Sequence, residues 1–90
     1  MKVYVDLTIE ARRRLALLAK INRLREGQVL DKLIEQPFYY YIGSNTEKRD
    51  TVKCMFLTVN DLKAKARQAN TSMSILVEKM LTFTDTFAKL

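Results

Sequence analysis

KVYVDLT, residues 2–8, alternates Val3, Val5 and Leu7 with Lys2, Tyr4 and Asp6 and ends on Thr8. A period of two places the aliphatic side chains on one face of a strand and the polar ones on the other. Thr8 then offers an N-cap hydroxyl to a helix over about 9–22, in which Ala11, Leu15, Leu18 and Ala19 share one face. A polar break at Asn22-Arg23 precedes a second helix, about 26–36, with Val29, Leu30, Leu33 and Ile34 at core spacing. Pro37 ends it, because the residue before a proline avoids helical geometry.

The same order of elements returns further along the chain. Met55, Leu57 and Val59 alternate with Cys54, Phe56 and Thr58, which predicts a second strand with the first set facing the core. Asn60 or Thr58 caps a short helix carrying Leu62, Ala66 and Ala69, and Asn70 suits a left-handed helix end. Thr71-Ser72-Met73-Ser74 opens a last helix whose apolar positions Leu76, Val77, Met80, Leu81 and Phe87 run nearly to the end of the sequence. The pairs Val29-Leu30 and Leu76-Val77 lie 47 residues apart, whereas Leu7-Thr8 and Leu57-Thr58 lie 50 apart. The first helix of the second unit is therefore shorter by about a turn.

Composition limits what such a chain does. Ninety residues leave room for one domain, 1–90, with internal repeats over 2–36 and 52–90 joined by a tether over 37–51. With no His and one Cys, neither a His/Cys metal site, a disulfide nor a His-assisted nucleophile can be built, and with two Gly there is no phosphate loop. No enzyme activity and no cofactor are expected. Residues 1–36 hold eight basic and five acidic side chains and residues 53–90 six and three, so each half carries +3 of the net +6. That balance favours a polyanionic partner. The absence of a long apolar run and of a basic-then-apolar start predicts a cytoplasmic protein without membrane contact, its Cys54 reduced.

An apolar-alternating strand followed by two helices, with a small-polar turn before the second, resembles the ribbon-helix-helix family of the Arc and MetJ type. The resemblance implies a mainly α fold with a two-stranded antiparallel ribbon that enters the DNA major groove over a four-helix core. Both units lie in one chain, which implies a tandem pseudo-dimer. The tandem layout, the Pro-aromatic segment after the first unit and VKCMFLTVND opening the second are similar to the TraY-like accessory proteins of conjugative plasmids.

In that family the outward ribbon side chains read bases, which here implies Lys2, Tyr4 and Asp6 from one strand and Cys54, Phe56 and Thr58 from the other. Lys2 can donate to guanine, Asp6 can accept from a cytosine amino group, and Tyr4 and Phe56 can touch thymine methyls. The plain alternative is a set of strand residues with no role in binding. The family also holds phosphates at the start of each second helix, implying Ser72, Met73 and Ser74 in the second unit. The first unit has Arg25-Glu26-Gly27 there, a departure that leaves Arg23 and Arg25 to grip phosphate by side chain or to complement the end of the preceding helix. Arg12 and Arg13, from a run of three, lie where a helix dipole disfavours cations, so an external phosphate would account for them; a solvated face is the alternative. Phe38-Tyr39-Tyr40-Tyr41-Ile42 reads as a cover over the helical core, or else as a stacking platform for single-stranded nucleic acid or a docking site for a protein partner.

The expected function is sequence-preferring binding of double-stranded DNA, as a transcriptional regulator or a relaxosome accessory factor in conjugation, with self-association of monomers on neighbouring sites. The rival expectation is a protein-interaction module that keeps the same fold.

Overall fold

A computed structural model describes residues 2–35, 50–57, 59 and 61–90. In chain order these form β1 (Lys2–Thr8), α1 (Ile9–Asn22), α2 (Glu26–Glu35), β2 (Thr51–Leu57), α3 (Leu62–Gln68) and α4 (Met73–Phe83). The two strands pair antiparallel, from Lys2 opposite Leu57 through Val5 opposite Cys54 to Thr8 opposite Thr51. The result is a small mixed α/β fold, one two-stranded sheet with four helices among the described residues. The Pro37 stop and the Phe38–Ile42 segment fall outside those residues; Thr51, read from sequence as tether, belongs to β2.

β1 passes into α1 without a loop. Thr8 keeps extended geometry while its hydroxyl accepts the Ala11 amide at 3.2 Å, and its own amide donates to Glu78 Oε1 of α4 at 3.2 Å. Ala11, Leu15, Leu18 and Ala19 are buried, as their spacing requires. α1 ends at Arg23, whose left-handed backbone lets Leu24 N–H reach back to Ala19 O at 2.9 Å. The same closure recurs at Asn70, left-handed too, where Thr71 N–H reaches Ala66 O at 3.0 Å. Arg23 to Asn70, Ala19 to Ala66 and the helix starts Glu26 to Met73 are all steps of 47 residues. The spacing seen in the apolar pairs is thus also the spacing of backbone geometry.

Upstream of that closure the halves diverge. α3 has seven residues against fourteen in α1, two turns fewer rather than one. Its N-cap is Asp61, with a left-handed backbone and no side-chain cap bond, instead of the expected Thr58 or Asn60, both of which lie outside the described residues. α4 also stops earlier than its apolar pattern predicts. It ends at Phe83, Thr84 turns extended with its hydroxyl on Met80 O at 2.7 Å, and Asp85 accepts the Phe87 amide at 2.9 Å. Phe87 is therefore 72% exposed rather than core. These local side-chain bonds offer the backbone a competitor to another helical turn.

α4 touches β1 and all three other helices, and the core gathers round it: Val77 and Leu81 are fully enclosed with Leu7, Leu15, Leu30 and Leu33. The tail returns to α1, where Asn22 donates to Leu18 O and Ala88 O, both at 2.9 Å, and accepts Leu90 N–H at 2.7 Å. No helix among the described residues is long and apolar enough to cross a membrane.

Candidate nucleic-acid interface

Pairing with β1 fixes which side of β2 faces outward. Val5 and Leu7 are buried, and residues opposite one another in an antiparallel pair share a face of the sheet. Cys54 opposite Val5 and Phe56 opposite Val3 must then point inward, and they are 2% and 3% exposed. The expectation that Cys54 and Phe56 face outward is thus corrected. Met55 and Leu57, expected in the core, are 48% and 43% exposed instead. Val59 is buried as expected, beyond the end of the strand, and Thr58 lies outside the described residues.

The outward face of the ribbon is accordingly Lys2, Tyr4 and Asp6 against Leu57, Met55 and Lys53. Lys53 is the residue that sequence reasoning missed. It faces Asp6 across the strands, while Tyr4, 54% exposed, faces Met55. One end of the ribbon therefore presents a carboxylate beside an ammonium, and the other a lysine with aromatic, thioether and aliphatic groups.

Around the ribbon the arginines have distinct duties. Arg12 reaches from α1 to Cys54, with Nη1 3.1 Å from Sγ, and that thiol donates in turn to Val52 O at 3.5 Å. The hydrogen bond to Cys54, helped by the negative charge of Glu26, holds the Arg12 guanidinium protonated even more firmly than usual. Arg12, expected at phosphate, is tied to the ribbon's inner face. Arg14 pairs with Glu10 at 3.5 Å, and Arg13 is exposed. Arg23 and Arg25 are exposed in the α1–α2 turn, where the Arg25 amide is capped by Gln28 Oε1 at 2.9 Å.

The two second-helix starts differ. At α4, Ser72 Oγ accepts the Ile75 amide at 3.1 Å, which leaves the amides of Met73 and Ser74 as the first-turn donors without an intrahelical partner. At α2, Gly27 is buried so close to Leu57 that a Cβ would run into that residue's carbonyl oxygen, and Glu26 Oε2 is buried without a partner. The first start packs against the end of β2 and adds a carboxylate. The second has no acidic residue in its first turn, and its Met73 and Ser74 are half-buried.

No family model, curated protein or solved structure matches this chain. Among the described residues no group of three or more His, Cys, Asp or Glu is placed to hold a metal ion. The outward face is a narrow strip of donors, acceptors and apolar groups, set on a core that fixes their spacing.

Proposed function

We propose that this is a ribbon-helix-helix protein in tandem single-chain form, and that it binds double-stranded DNA with sequence preference through its two-stranded ribbon. The observation that carries the reading is the outward set Lys2, Tyr4, Asp6, Lys53, Met55 and Leu57 on a ribbon backed by helices, in a chain of net charge +6. Paired strands lie about 4.8 Å apart, and a major groove about 12 Å wide admits such a ribbon. Lys2 and Lys53 are donors for guanine O6 and N7, Asp6 is an acceptor for a cytosine amino group, and Tyr4, Met55 and Leu57 suit thymine methyls. The first-turn amides of Met73 and Ser74, left without an intrahelical partner, would hold a phosphate beside the groove.

The 47-residue recurrence of helix closures, helix starts and apolar pairs supports a duplicated unit whose halves pair within one chain. Transcriptional regulation and assembly of a conjugative relaxosome use the same binding event at different addresses, and either is cytoplasmic. The specific observation behind the rival reading, a protein-interaction module, is the exposed trio Tyr4, Met55 and Leu57.

Selection of bound sites from random duplex DNA, followed by affinity measured against salt, separates the two. DNA binding predicts an enriched sequence and a log–log slope of about −0.9 for every phosphate neutralised. Failure to enrich any duplex refutes it, and a partner held equally well at high salt favours the interaction module.

A further inference from the structure

At the end of the ribbon where Lys2 faces Leu57, β1 and α3 enclose an open cleft of about 890 Å³. Its polar lining consists of Lys2, Tyr4, Asp61, Lys63 and Arg67, three cations and one carboxylate, hence +2. The rest of the lining is apolar and includes Val3, Val59 and Leu62. Among the described residues the side chains of Lys2, Lys63 and Arg67 make no hydrogen bond or ion pair. Lys63 and Arg67 are one turn apart on α3, about 6 Å along its axis, and both are exposed. Lys2 and Tyr4 belong at once to the cleft and to the ribbon's outward face, so the two surfaces are continuous.

We propose that this cleft receives the sugar–phosphate backbone of one DNA strand where it passes the Lys2 end of the ribbon, with Lys63 and Arg67 each neutralising a phosphate. The inference rests on the DNA-binding reading and adds to it a clamp on one side only. Lys63 and Arg67 have Ala16 and Lys20 as their counterparts 47 residues earlier, so the first half lacks the pair. Nothing about the ribbon requires cations here. Like charges gathered in an otherwise apolar lining repel one another, and a row of phosphates is the partner that relieves the repulsion. A flexible lysine and a planar arginine, neither engaged elsewhere, can both follow a backbone whose geometry varies with sequence. The contact is expected to strengthen all bound sequences alike and to lengthen the footprint on the α3 side.

The test compares the parent chain with K63Q/R67Q and with K32Q/K89Q, which removes the same charge from exposed positions outside the cleft. All three should melt alike. On a selected duplex, K63Q/R67Q should reduce the salt slope by about 1.8, two contacts' worth, and shorten protection on one side while leaving the preferred sequence unchanged. K32Q/K89Q should keep the parent's slope and footprint. If K63Q/R67Q keeps the parent's slope, or loses no more than K32Q/K89Q, the clamp is refuted while DNA binding stands. A parent chain that binds no duplex refutes both. A third arm titrates ATP without DNA and follows the amide signals of Leu62 and Ala64: saturable shifts at submillimolar concentration would assign the cleft to a free nucleotide and overturn the strand assignment.

Discussion

Gly27 owes its identity to the Leu57 carbonyl oxygen, which stands where a side chain would begin. In an open helix Gly→Ala stabilises by about 0.5–1 kcal/mol. Here the added methyl meets rigid backbone at the junction of α2 and β2, and overpacking of this kind typically costs about 1–3 kcal/mol. Gly27→Ala is therefore expected to lower stability, and chemical denaturation shows whether the sign is right. Lys53 and Cys54 are neighbours with opposite fates, one outward and one buried. On the proposed DNA-binding reading, replacing Lys53 by Gln should erode discrimination at a single base pair, by about 1–3 kcal/mol. Cys54→Ala should instead release Arg12 and loosen the core, shifting the melting temperature without altering base preference. A panel of single-base substitutions in the bound site reads both variants, and a changed base preference in Cys54→Ala would contradict the assignment of faces.

The elements differ in how plainly the sequence announces them. β1 is apolar at one parity only, Val3, Val5 and Leu7, so its faces can be read directly. β2 carries two competing patterns: Met55, Leu57 and Val59 suggest one parity, whereas Val52, Cys54 and Phe56 set against Thr51 and Lys53 mark the other as inward, and Val59 lies beyond the strand's end. Pairing agrees with the second pattern, since Val5 is buried and stands opposite Cys54. The outward set was for that reason half legible, correct in β1 and displaced by one residue in β2. α1 and α2 were legible because Thr8 and the i, i+4 spacing agree with their packing. Phe87 misled because its helical spacing says nothing of Thr84 and Asp85, which end the helix first. At α4 the start was legible in Ser72. Ser72→Ala should cost about 1 kcal/mol through the uncapped Ile75 amide. Thermal melts give that cost, and no loss would mean that another group caps the helix.

At the scale of the molecule the two ends of the ribbon are chemically different surfaces, Asp6 with Lys53 and Lys2 with Leu57. A homodimer offers identical halves to a palindrome, whereas this chain, if it binds DNA as proposed, should prefer an asymmetric element. Base-by-base substitution across the bound site is expected to give unequal losses in its two halves; mirror-related losses would show that the halves read alike. The distance along the chain between paired strands has a consequence for synthesis. β1 leaves the ribosome 49 residues before β2, and the Thr8 amide finds Glu78 only later still. At roughly 5–20 residues per second, Val3, Val5 and Leu7 spend on the order of 2 to 10 s without a partner strand. On a crowded polysome the neighbouring nascent chain offers the same β2 sequence, so translation speed and chaperone supply, rather than equilibrium stability, set how many chains mature as monomers and how many exchange strands.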